Sequence, residues 1–295
     1  MSTDKLKGRP PIPFETIAVA IAFSPRFEAI LSEAGHLADK FKAKLLLIHV
    51  GPKTANKEEK LNRSLDKLGL SGLKNTIVWR EGRAANVILQ VCKENVVDLL
   101  VIGALKKESL FTFYLGSLAR TISRKAKCSV LLVTQPGINS TSPKKLVVTG
   151  IDHPKTIHTI NTAVYFAKAY KIPEIRVVKE LDLTGLAMTL SDNTTATAAT
   201  KLKKEITEGE EDKLHNIIRE CQAEGINILE KTVKGKAGYA LSKYSLEKKA
   251  DILFINSPDI SLGLLDRIFT HDVELILANL PCDIMLVHSR VKSEK

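Results

Sequence analysis

Two glycines and a serine stand where the backbone, rather than any side chain, could hold an anion. Gly103 ends the apolar run Val97–Ile102, and Gly116-Ser117 closes the loop that follows, just ahead of helical spacing at Leu118, Ile122 and Ala126. A glycine lacks Cβ, so its N–H can come close to an oxyanion, and a helix N-terminus adds about half an elementary positive charge. Strand, glycine loop and helix start, in that order, make the anion-binding element of open α/β sheets. Ser117 is expected to cap that helix through its hydroxyl, and Ser129–Val133 is a second apolar run of strand length.

Other chemistry is sparse. The four cysteines, Cys92, Cys128, Cys221 and Cys282, form no C-x-x-C pair, so they read as buried reduced thiols. The seven histidines contain no i, i+4 pair beside a carboxylate, and no metal site is expected. Asp152-His153-Pro154 reads as a turn and helix cap rather than an acid/base pair. No serine has a nucleophile-elbow setting and no paired carboxylates sit at strand ends, so no catalytic residue is expected.

Strands and helices must position these groups, and the sequence alternates them. Thr16–Ala22 reads as a strand, Ser24-Pro25 as a helix start with proline in the first helical position, and Phe27, Ile30, Leu31, Ala34, Leu37, Ala38 and Phe41 as one apolar helix face. Lys44–Val50 is a strand, Gly51–Ala55 a loop, Glu58–Leu68 an amphipathic helix and Thr76–Arg80 a short strand. Gly82 then turns into a helix carrying Val87, Ile88, Val91 and Cys92. Such alternation implies right-handed crossovers and a parallel sheet.

The string from Val97 to Val133 resembles the C-terminal signature of the universal stress protein family. Nucleotide-binding members carry Gly, two residues, Gly, nine residues, then Gly-Ser or Gly-Thr. Gly103, Gly116 and Ser117 match, Asp98 starts the strand and Cys128 precedes the last one, while Lys106 replaces the middle glycine. The resemblance implies an α/β fold of two tandem Rossmann-like domains of the adenine nucleotide α-hydrolase-like type. Each would be a five-stranded parallel sheet of order 3-2-1-4-5 with helices on both faces. Its ligand crevice lies between the ends of the first and fourth strands. There it implies nucleotide-binding positions at Ala22, Val50, Gly103, Lys106, Gly116 and Ser117, and a second-domain ligand site at Asp152 and Asn256. The implied ligand is ATP or another adenine nucleotide, with or without Mg²⁺. The two sets are incomplete in opposite ways: Ala22 stands where the family has an aspartate, and Asn256 and Thr270-His271 replace the glycines and Gly-Ser. Lys106 and Lys107 either face a phosphate or are simply solvated.

The chain repeats itself. Gln135–Pro143 is a polar, turn-rich linker, and Lys145–Asp152 reads as a second first strand followed by a helix through Ile157, Ile160, Val164 and Ala167. Gly235-Lys236-Ala237 matches Gly82-Arg83-Ala84 at an offset of 153, Ala250-Asp251 matches Val97-Asp98 at the same offset, and Cys282 matches Cys128 at 154. Domains are therefore expected at 14–135 and 144–289. Pairing Ala22 with Asp152, an offset of 130, leaves 23 extra residues in the second copy, placed around 181–212. These read either as a lid over the crevice, touching through Leu183, Leu186, Met188 and Leu190, or as a Thr/Ala-rich surface excursion.

Bulk properties bound the function. The 295 residues suffice for two domains, and 44% hydrophobic with 26% charged residues suits a globular protein. No apolar run approaches the roughly 18 residues of a membrane span, and MSTDKLKGRP has no apolar h-region, so a cytoplasmic rather than integral membrane protein is expected. The net charge of +11 comes from dispersed lysines with only 5% aromatic residues between them, which argues against nucleic acid. The expected role is a non-catalytic regulatory or sensing module that takes a small-molecule ligand or a protein partner. The alternative is a scaffold with vestigial sites, of the kind that regulates a membrane transporter in some relatives. Family members dimerise through the last strand, so Ser129–Val133 is expected either to pair internally with Ile284–Val287 or to form a homodimer.

Overall fold

The computed structural model describes residues 10–106, 113–138, 142–182, 196–221, 223–258 and 272–289. The first copy runs β1 (Thr16–Ile21), α1 (Phe27–Phe41), β2 (Lys44–Val50), α2 (Ala55–Lys67), β3 (Asn75–Arg80), α3 (Ala84–Glu94) and β4 (Leu99–Gly103). Two-residue strands β5 (Leu105–Lys106) and β6 (Phe113–Tyr114) follow, then α4 (Ser117–Lys125) and β7 (Ser129–Val133). The second copy runs β8 (Leu146–Thr149), α5 (Thr156–Tyr170), β9 (Glu174–Leu181), α6 (Ala196–Arg219), β10 (Asn227–Lys234), α7 (Tyr239–Glu247), β11 (Ile252–Asn256) and β12 (Asp283–Val287). Residues 272–278 are also helical.

Ten strands form one sheet of order β10-β9-β8-β11-β12-β7-β4-β1-β2-β3. Within each copy the pairing is parallel in the 3-2-1-4-5 order, and the copies meet where β12 pairs antiparallel with β7. The sheet is therefore continuous rather than divided in two. Central strands such as LLVI of β4 and SVLLV of β7 are buried throughout, as expected of strands covered on both faces. One core cluster holds Ile17, Val19, Leu31, Leu45 and Phe166 against α1 and α5; the other holds Leu100, Val91, Ile122 and Leu253 against α3, α4 and α7.

The seam carries a pseudo-symmetric pair of polar ties. Thr134 donates its N–H and hydroxyl to Asp283 at 2.8 and 2.7 Å, and the matching His288 N–H donates to Ser129 Oγ at 3.2 Å. On the helix face, Phe14 and Phe41 pack against Tyr165 at ring distances of 5.5 and 5.1 Å.

Several local expectations shift. Helix α1 begins at Phe27 with Arg26 in the cap position, so Pro25 lies in the turn before it rather than in the first helical turn. Helix α2 begins at Ala55, three residues early, because the Thr54 side chain accepts from Lys57 N. The loop after Gly103 contains a short antiparallel ladder, Leu105 with Tyr114 and Lys106 with Phe113.

The repeat register also differs. Asp98 accepts from Glu15 N and Thr16 N, and Asp251 accepts from Lys144 N and Lys145 N. Helices α1 and α5 start at Phe27 and Thr156 and end in left-handed Lys42 and Lys171. The two Asp residues are 153 apart, but the N–H groups they hold and both helix ends are 129 apart, so Asp152 corresponds to Phe23 and Ala22 to Ile151. Hydrogen-bond register overrides the end-to-end match of short strings, and the excess in the second copy becomes 24 residues (153 minus 129).

That excess precedes the C-terminal half of α6, because Leu61 of α2 and Leu214 of α6 are both buried and 153 apart. The lid contacts Leu183, Leu186, Met188 and Leu190 lie outside the described residues, as do Thr270-His271.

Candidate functional site

In the first copy the carboxyl edge is built by β4, the β5–β6 ladder and the start of α4. Gly103 pairs with Val133 of β7, and Ala104 N donates to Val133 O at 2.8 Å. The ladder then brings the chain back, so that Ala104 and Leu115, both buried, flank its base, and Gly103 and Gly116 return to one edge although 13 residues apart. Gly116, not Ser117, occupies the N-cap; its extended backbone (φ −63°, ψ 165°) carries no side-chain cap, and Ser117 is the first helical residue. The first-turn N–H groups of α4 consequently have no side-chain acceptor from the cap position. Val50 ends β2 half-buried, and Ala22 is exposed just past β1. Lys106 lies in extended β5, where no left-handed glycine is needed; its side chain is outside the described residues.

Sequence reasoning missed Arg26. Its Nη1 donates to Ala104 O and its Nη2 to Thr134 O, each at 2.7 Å, so the guanidinium bridges the ends of β4 and β7. The available signal was its place just before an apolar helix face, where a long cation can reach back over the sheet edge. Beside it Phe23 packs against Phe27 at 4.9 Å, His49 at 5.0 Å and Trp79 at 6.2 Å. Lys60 Nζ sits 5.8 Å from the Phe23 ring. Aromatic packing thus stands where the register places an aspartate in the second copy.

The second copy fills the same edge with its own side chains. Asn256 replaces Gly103, is fully buried, accepts from Thr159 Oγ1 and donates to Thr156 Oγ1 at 3.1 Å. Asp152 is half in solvent and its carboxylate meets Lys213 Nζ at 3.5 Å, in a chain of charges that continues to Glu210 and buried Lys179. The structure therefore does not join Asp152 to Asn256 by a hydrogen bond or an ion pair. Glu180, at the register position of Val50, accepts from Gly238 N at 2.9 Å and Leu241 N at 2.7 Å. Burial raises its carboxyl, against the opposing pull of those N–H bonds. A built-in carboxylate thus occupies the start of α7.

The thiols are quiet. The neighbouring Cys128 thiol, together with burial in the core, raises the Cys92 thiol well above its usual range. Burial pushes Cys221 up to about 11 and Cys282 higher still. Thiols held neutral in this way are poor nucleophiles. Among the described residues no group of three His, Cys, Asp or Glu could hold a metal ion, and no helix is long and apolar enough to cross a membrane.

Comparison with known proteins matches the reading of the glycine string. A sequence profile of the universal stress protein family matches residues 51–134, the span that holds Val50's neighbour Gly51, Gly103, Gly116 and Ser117. Universal stress protein YxiE of Bacillus subtilis (strain 168) is 27% identical over 146 residues, 41% of this chain and 99% of that protein. A putative universal stress protein from Pseudomonas aeruginosa UCBPP-PA14 superimposes with TM-score 0.68 at 16% identity, covering 93% of each chain. One from Archaeoglobus fulgidus DSM 4304 does so with TM-score 0.58 at 14% identity, covering 93% of this chain and 96% of that one. These two similarities concern the fold alone. The universal stress protein resemblance is thereby borne out, and the α/β, Rossmann-like fold with it.

Proposed function

We propose that this chain, a universal stress protein relative by its residues 51–134, is a non-catalytic regulatory module that binds one small ligand, an adenine nucleotide with or without Mg²⁺, at the carboxyl edge of its first copy. The observation that carries this reading is the difference between two equivalent positions. Among the described residues, a Cβ added at Gly103 would meet the Ile30 side chain at 3.6 Å and beyond, an ordinary contact, whereas Asn256 is buried and tied to Thr156 and Thr159. Among the described residues, the Gly103 position keeps space for a guest, and the Asn256 position is filled by the chain's own side chains. The start of α4, which has no side-chain cap from Gly116, supports the same reading, as helix starts favour phosphate.

Native mass spectrometry of the full chain with ATP and Mg²⁺, alongside a thermal melt, tests it. One nucleotide per chain is expected, with loss of binding in Gly103→Asn and no phosphate released over hours. Two nucleotides per chain, or none, would overturn the one-site assignment, and steady phosphate release lost in Gly116→Val would overturn the non-catalytic one.

A further inference from the structure

The first copy keeps a cationic donor at its carboxyl edge but lacks the acceptor that Asp152 supplies in the second. No carboxylate stands at the end of β1, where Ala22 and Phe23 follow the strand. The edge does hold Arg26, whose guanidinium donates to two neutral carbonyl oxygens. Among the described residues no carboxylate pairs with Arg26, although the side chain is half-buried. A guanidinium carries five N–H donors, and one from each Nη is used here. A partly desolvated cation with only neutral partners favours an incoming anion, since charge-assisted bonds to Arg are among the strong ones.

Position supports the same conclusion. Arg26 lies one helical turn before Ile30, the residue that a side chain at Gly103 would touch. Its anchor Ala104 directly follows Gly103, and its second anchor Thr134 follows the end of β7. The guanidinium is therefore held beside the open Gly103 position, with its orientation fixed by two short bonds. The equivalent residue in the second copy, 129 positions on, is another cation, buried Lys155, so a positive group at this place belongs to both copies.

We propose that Arg26 is the anion-binding residue of the first copy and selects its ligand by a phosphate oxyanion rather than by nucleoside hydroxyls. The proposal rests on the first-copy edge being the ligand site. The shared chemistry is a chain of phosphates, either on a nucleotide or free.

Isothermal titration of the full chain with ATP, inorganic tripolyphosphate and adenosine, each at fixed salt, separates these sources. Binding of ATP and tripolyphosphate but not adenosine is expected, with both affinities falling about tenfold or more in Arg26→Gln. Arg26→Lys should recover part of the loss as a point charge without the planar fork. Adenosine bound as well as ATP, or an Arg26→Gln chain that binds tripolyphosphate normally, would overturn the role of Arg26. If Gly103→Asn still abolished binding in that case, the site itself would stand. If none of the three compounds bound, both the site and the role would fall. Should Arg26→Gln fail to fold by thermal melt, the Arg26 Nε resonance of the native chain decides: movement on adding tripolyphosphate supports the role, and a fixed resonance overturns it.

Discussion

Asp98 and Asp251 show how single residues set the frame. Each reaches across from the start of the fourth strand of its copy to two consecutive N–H groups at the start of the first, at 2.7 to 2.9 Å. The position is legible as Val-Asp and Ala-Asp before an apolar run, but its partners are about 83 and 106 residues away and no local pattern names them. Replacing the fully buried Asp98 with alanine strands two N–H groups, and a loss of about 2–4 kcal/mol in urea unfolding is expected. Asp251, which ties exposed backbone, should cost less on the same measurement. Arg26 belongs to this scale as well: its identity is plain in the sequence, and its role depends on two carbonyls 78 and 108 residues away.

Elements differ between the copies at their helix starts. Helix α4 follows the N-cap Gly116 without a side-chain cap, while α7 follows the N-cap Gly238, with the Gly238 and Leu241 N–H groups held by Glu180 from β9. Glu180→Ala removes the acceptor of two N–H groups at once. A loss of about 1–3 kcal/mol is expected, with faster hydrogen exchange at the Gly238 and Leu241 amides and unchanged exchange in α4. Equal acceleration in both helices would show a general loosening instead. The alternation of strands and helices was readable because buried strands and amphipathic helices have different periods. Cap identities were less so, since Ser117 and Gly116 both qualify in a string and only the backbone dihedrals choose between them.

For the whole molecule the decisive element is the seam between β7 and β12. Asp283 sits there, half-buried, with its carboxyl pushed up to about 6 chiefly by desolvation, with Glu33 and Asp251 adding repulsion and the Thr134 bonds opposing. A folded pKa above the ordinary 3.8 means the fold holds this proton more tightly than the unfolded chain does. The contribution to stability is complete below about 3.8 and is lost as pH rises through about 6. This group alone should make the chain more stable at pH 5 than at pH 7.5 in urea unfolding. Asp283→Asn should flatten that difference and raise stability at pH 7.5 by about 1–2 kcal/mol. A wild-type chain that lost stability at pH 5 to the same extent as Asp283→Asn would refute the assignment.

The sequence by itself determined the alternation of strands and helices, the short strings that recur at an offset of 153 and the glycine string, because periodicity, turn residues and short motifs are properties of neighbours along the chain. Tertiary structure alone decided that ten strands make one sheet, that hydrogen-bond register sets Phe23 rather than Ala22 opposite Asp152, and that Arg26 reaches the edge beside Gly103. Register and reach depend on which distant backbone groups face one another, and that is settled only when the sheet has formed and both of its faces are packed.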